Sequence, residues 1–112
     1  MGGAVNHNQR VLKALRDAGY FAEVVERWDA FSRRRHDLFG IIDILAVGNG
    51  QTVAVQVTSR DNMASRRHKM LAAPELAAMI AAGWQVELWG YKKVGSRWTL
   101  KKETISVTPI NA

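Results

Sequence analysis

Asp43, Gln56 and Thr58 are the residues whose types and spacing could do chemistry. They lie within "GIIDILAVGNGQTVAVQVTS" (40–59), which is otherwise built from Ile, Leu, Val and Ala. Asn49-Gly50 is a strong signal for a two-residue type I′ hairpin loop. Such a loop pairs Gly48 with Gln51, which sets Asp43 opposite Gln56 and Ile41 opposite Thr58. Side chains alternate along a strand, so Asp43, Gln56 and Thr58 share one face. Directly opposed residues bring their Cβ atoms to about 4.5–5.5 Å. Oxygen-bearing side chains therefore converge at one point on an apolar sheet.

A buried carboxylate costs several kcal/mol unless it is paired, protonated or bound to a metal. Two arrangements answer the need. One is a hydrogen bond from Gln56 or a salt bridge to an arginine. The other is an oxygen-ligand site for a hard cation, Mg²⁺ or Mn²⁺, which uses one or two carboxylates with waters and phosphate oxygens. The same face leads towards two basic clusters. Arg33, Arg34, Arg35 and His36 form one, and Arg60, Arg66, Arg67, His68 and Lys69 the other. Phosphate contacts from such residues would be salt-dependent and largely independent of sequence. A charge run is also commonly a solvated face.

The elements that position these residues can be read from period and punctuation. Asn6 can cap a first helix over 7–18, with Val11, Leu12, Leu15 and Ala18 on its apolar side, and Gly19 ends it. "YFAEVVERW" (20–28) is rich in β-formers and reads as one strand, and 29–40 as a polar, basic loop. The two hairpin strands follow at 41–47 and 52–58. A second helix starts after Ser59 or Asp61, either of which can cap it. Pro74 breaks it or begins another, because proline lacks the N–H donor. Strands over 84–93 and 97–107 complete the chain, the last at an edge given its lysines. The order α-β-β-β-α-β-β predicts a mixed α/β fold, with helices packed on a mixed central sheet.

The 112 residues suit a single domain spanning 1–112 with one core. The absence of cysteine excludes disulfides and thiolate metal sites. No apolar run reaches the length of a membrane span and no signal-peptide core is visible. A soluble, cytoplasmic protein with no membrane partner is expected. Sixteen Lys and Arg against ten Asp and Glu give a net charge of +6, which favours a polyanionic partner, nucleic acid first.

The other chemistry-bearing residues are less organised. His7, His36 and His68 lie in unrelated segments without zinc-ligand spacing. There is no phosphate-binding glycine loop, and Ser59 and Ser65 have no visible partner base. Trp28, Trp84, Trp89 and Trp98 read as packing residues, any of which could stack on an unpaired base.

The stretch from the first helix through Ser59, about half the chain, resembles the PD-(D/E)XK nuclease superfamily. Within it the likeness is to archaeal-type Holliday junction resolvases and related phage nucleases. "LRDAGYFAEVVERW" looks like the family's helix-to-strand entry, and "DLFGIIDILAVGNGQTVAVQVTS" like its core hairpin. The resemblance implies a restriction-endonuclease-like α-β-β-β-α-β core and Mg²⁺- or Mn²⁺-dependent cleavage of DNA. It also implies a homodimer and a host-cytoplasmic setting if the chain is phage-encoded. Asp43 takes the place of the metal-binding Asp, Gln56 that of the second acid and Thr58 that of the lysine. Ile42 stands where the family often has Pro. Asp37 could supply the second carboxylate, and Lys69, Arg60 or Arg66 the missing cation. The alternative is a nuclease fold without catalysis, kept as a DNA-binding or assembly module. "QVT" in place of the acid-x-lysine triplet favours it.

Overall fold

The computed structural model describes residues 7–107. Helix α1 (Asn8–Asp17) leads into the edge strand β1 (Phe21–Val24). A small hairpin follows, made of β2 (Arg27–Asp29) and β3 (Arg34–His36). Strands β4 (Ile44–Gly48) and β5 (Gln51–Ser59) form the central hairpin. A 3₁₀ turn (Arg60–Asn62) then opens into helices α2 (Met63–Ala72) and α3 (Glu75–Ala81). Strands β6 (Gln85–Val94) and β7 (Arg97–Thr104) close the described chain.

The main sheet has the order β1-β4-β5-β6-β7. β5 and β6 are parallel and joined through α2 and α3, and the other pairs are antiparallel. This is the mixed α/β architecture expected from the sequence, with β7 at an edge. Asn49 and Gly50 both have positive φ, as a type I′ turn demands, and Gly48 pairs with Gln51 as predicted.

Alternation sorts the core onto the two faces of the sheet. Ile44, Ala46, Val53, Val55, Trp89 and Tyr91 pack under Val11, Leu12 and Leu15 of α1. Ala54, Val86 and Leu88 pack under Met63 and Met70 of α2 and Leu76 and Met79 of α3. Gly90 lies where the start of α2 comes down on the sheet. A Cβ there would sit 2.3 Å from Met63 Sδ and 3.3 Å from the backbone of Arg60.

The structure departs from the sequence reading in several places. The single strand expected over 20–28 is two strands, separated at Val25 and Glu26. The expected 29–40 loop contains β3, which folds back on β2. β4 starts at Ile44 rather than 41, because Leu38 and Ile42 bridge to each other in a tight loop with Phe39 and Gly40 at positive φ. Ile41 is therefore buried under the helices and does not pair with Thr58. α1 begins at Asn8 after His7, and Asn6 lies outside the described residues. Ser59 and Asn62 flank the 3₁₀ turn and α2 without side-chain capping bonds. Among the described residues no helix is long and apolar enough to cross a membrane.

Candidate metal centre

The ladder between β4 and β5 carries Asp43 to its predicted place. Its N–H donates to the Val55 carbonyl at 2.9 Å, one step beyond the end pair of the ladder, Ile44 with Val55. Its side chain is 8% exposed. Asp43 Oδ2 accepts hydrogen bonds from Gln56 Nε2 at 2.5 Å and from the Val57 N–H at 2.9 Å. Thr58 is buried on the same face. The hydrogen-bonded arrangement anticipated for Asp43 and Gln56 is thus present.

That bond does not account for the rest of the site. Carboxylate oxygens of Glu26, Asp37 and Asp43 all lie within 4.8 Å of one another. At an effective dielectric near 20, each ionised pair at that separation would repel by about 3 kcal/mol. Local structure enforces the meeting. The Val25 N–H donates to the Asp43 carbonyl at 2.8 Å, so Glu26, the next residue, emerges beside Asp43. The Leu38–Ile42 bridge folds the loop back and returns Asp37 to the same point. Asn8 Nδ2 donates to Glu26 Oε1 at 3.0 Å, and the Arg35 guanidinium stands 3.6 Å from the same oxygen. These two contacts offset part of the repulsion on Glu26. Asp43 responds differently. Burial first, and then the Asp37 carboxyl, push its pKa up to about 7.

The cluster lies in a cleft of about 630 Å³ at the end of the sheet, where α1 and α2 both begin. His7, Asn8, Ser59, Asn62 and Arg66 complete its walls with Arg35, Gln56, Val57 and Thr58. His7 is fixed there by stacking on Tyr91, with ring centroids 5.0 Å apart, and by an edge contact with Trp98. Burial, and then the Arg10 charge, lower its pKa, so it is neutral at pH 7.

The donor set fits a hard divalent cation. Neighbouring oxygens on one octahedral Mg²⁺ at 2.0–2.1 Å lie about 3 Å apart, so the three carboxylates, now within 4.8 Å, need to close by about 2 Å at most. Gln56 Oε1 is a buried acceptor with no hydrogen-bond partner. A cation or its water would satisfy that oxygen.

Several residues singled out in the sequence stand elsewhere. Arg60 reaches away to Thr99 Oγ1 at 3.1 Å, and Arg67 pairs with Glu103 on β7. Lys69 is exposed on α2 and does not line the cleft. Arg33 and Arg34 are exposed on the β2–β3 hairpin. Of the basic residues named, Arg35 and Arg66 reach the cleft wall. Glu26 is hidden in the sequence because "YFAEVVERW" has the composition of one unbroken strand, whereas the chain breaks at Val25 and Glu26. The signal available was an acid at the point where β-formers give way to "RW". Of the tryptophans, Trp89 is buried, Trp84 and Trp98 are half-buried and Trp28 is 60% exposed.

The chain matches no family model, no curated protein and no solved structure.

Proposed function

We propose that the protein is a metal-dependent endonuclease that hydrolyses DNA phosphodiester bonds, with structure-selective, resolvase-like action. One observation carries this reading: three carboxylates are gathered beside a buried amide oxygen that lacks a partner, in a cleft walled by arginines. Such a cluster is costly without a cation and suited to one. The order of the main-sheet elements also agrees with the core implied by the nuclease resemblance.

In this reading Glu26, Asp37 and Asp43 hold Mg²⁺ or Mn²⁺, and Gln56 orients Asp43 through its amide N–H. When bound, the divalent cation supplies charge stabilisation at the phosphate and lowers the pKa of water in the cleft. Arg35 and Arg66 hold phosphate oxygens at the cleft wall, in the place where the family's lysine is missing. Neutral His7, on the cleft wall with its Nδ1 beside the Arg10 guanidinium at 3.3 Å, accepts a proton from water through Nε2 in this reading. Thr58 offers a hydroxyl on the same face. Arg33 and Arg34 grip flanking phosphates, and two copies of the chain act together on a branched substrate.

A second reading keeps the DNA contact and drops the chemistry. Thr58 in the lysine position, with Lys69 outside the cleft, favours it. Cleavage of labelled branched and linear DNA with Mg²⁺ or Mn²⁺, compared with Asp43→Ala, separates the two. Metal-dependent cutting that disappears in the variant supports the nuclease. Binding without cutting, unchanged in the variant, supports the inactive module.

A further inference from the structure

The β2–β3 hairpin is not needed by the sheet or the carboxylate cluster in its full length. It pairs only with itself and projects two large aromatic side chains into water. Trp28 is 60% exposed and Phe31, in the turn, is 95% exposed. Keeping either ring in water forgoes the stabilisation that burial would give. One exposed aromatic needs no explanation, but two on a ten-residue arm with four arginines and one aspartate do.

The arm's geometry is defined. Asp29 Oδ1 accepts the Phe31 N–H at 2.9 Å, and Arg33 turns the chain with φ 56°. His36 pairs with Asp29 across the arm at 3.4 Å. That contact leaves the guanidinium groups of Arg33 and Arg34 with no ion-pair partner among the described residues. Trp28 stands directly opposite Arg35, so the two share a face. Arg35 lines the carboxylate cleft, and that face is therefore the one beside the cleft mouth.

We infer that this hairpin is a stacking arm for an unpaired nucleic-acid strand: Trp28 and Phe31 lie against exposed bases, Arg33 in the turn holds a phosphate beside them, and Arg34, opposite Asp29 on the arm's other face, adds to the positive charge that draws the strand in. Every base has a π-face, so aromatic platforms beside cationic groups bind single strands with little sequence preference. A blunt duplex hides those faces within its stack. The arm thus selects nucleic acid with unpaired bases near the cleft, such as a branch point or a frayed end. The inference rests on the nucleic-acid reading of the cleft, but not on its being catalytic.

The test is binding in EDTA, where no cutting occurs, to labelled oligothymidylate, oligouridylate and a blunt DNA duplex. The proteins are wild type, Trp28→Ala/Phe31→Ala, Trp28→Phe, and Arg33→Gln/Arg34→Gln. Trp28→Ala/Phe31→Ala should weaken single-strand binding by about tenfold or more and leave duplex binding within about twofold. Trp28→Phe should retain most of the affinity, and Arg33→Gln/Arg34→Gln should weaken strand and duplex alike. The tighter of the two oligonucleotides identifies DNA or RNA as the source of the strand. Because both rings are exposed, an unchanged melting temperature confirms that the double variant folds. Wild-type affinity of Trp28→Ala/Phe31→Ala for both oligonucleotides would overturn the inference. So would equal losses on strand and duplex, or a changed oligomeric state with strand binding intact. Strand binding that depends on the arm in a protein that never cuts would remove the nuclease reading and leave this one standing.

Discussion

Asp43 is the residue on which the site turns. In the metal-free protein it holds its proton up to about pH 7, because burial and Asp37 oppose its charge. An unfolded chain releases that proton near pH 4. Between those values the folded state binds a proton that the unfolded state has lost, so stability falls as pH rises. The contribution is full below about pH 4 and lost above about pH 7, and amounts to about 4 kcal/mol at most. Urea unfolding in EDTA at pH 5 and pH 8 should show wild type losing more stability over that interval than Asp43→Asn. Equal losses would mean that Asp43 titrates normally. Mn²⁺ at pH 8 should restore stability to wild type by taking the proton's place, and should do little for Asp43→Asn. Glu26 has the complementary role. Glu26→Gln removes one ligand charge while keeping the contact geometry with Asn8, so Mn²⁺ affinity should fall about tenfold or more with the fold intact.

At the scale of the elements, the two hairpins divide the work. The β4–β5 hairpin was legible in the sequence because Asn49-Gly50 fixes both turn and register. Once register is fixed, Asp43, Gln56 and Thr58 must share a face. The β2–β3 hairpin was not legible. Its strands are three residues each, too short to show alternation, and its arginines resemble a solvated loop. Glu26 and the Leu38–Ile42 bridge were hidden for the same reason: tertiary contacts interrupt a run of good β-formers. Gly90 shows how closely the second helical layer approaches the site. Gly90→Ala should destabilise the protein by about 1–3 kcal/mol, as the start of α2 is pushed off the sheet. Chemical denaturation measures this, and a loss below about 0.5 kcal/mol would mean that Met63 simply swings aside.

At the scale of the whole molecule, charge and shape act together. The net +6 is uneven: acidic oxygens are gathered inside the cleft, while Arg33, Arg34, Arg35 and Arg66 stand on its rim and on the arm. On the proposed reading, the rim draws a polyanion to the mouth and the carboxylates within hold the cation. DNA binding should therefore weaken steeply with salt, and Arg33→Gln/Arg34→Gln should reduce the slope of log K against log salt by about two. A slope unchanged by the double substitution would place the phosphate contacts elsewhere. The mixed sheet was predictable from element order. The cleft was not, because it joins the beginnings of two helices to segments far apart in the chain.

The most direct test of the metal centre is titration calorimetry with Mn²⁺ at pH 7, in two buffers of different ionisation enthalpy, on wild type and Asp43→Asn. Wild type should bind one ion per chain and release a proton from Asp43 as it does so, and Asp43→Asn should show neither event. A wild type that binds no Mn²⁺, or an Asp43→Asn variant that binds it as tightly, would contradict the assignment of Glu26, Asp37 and Asp43 as a metal site.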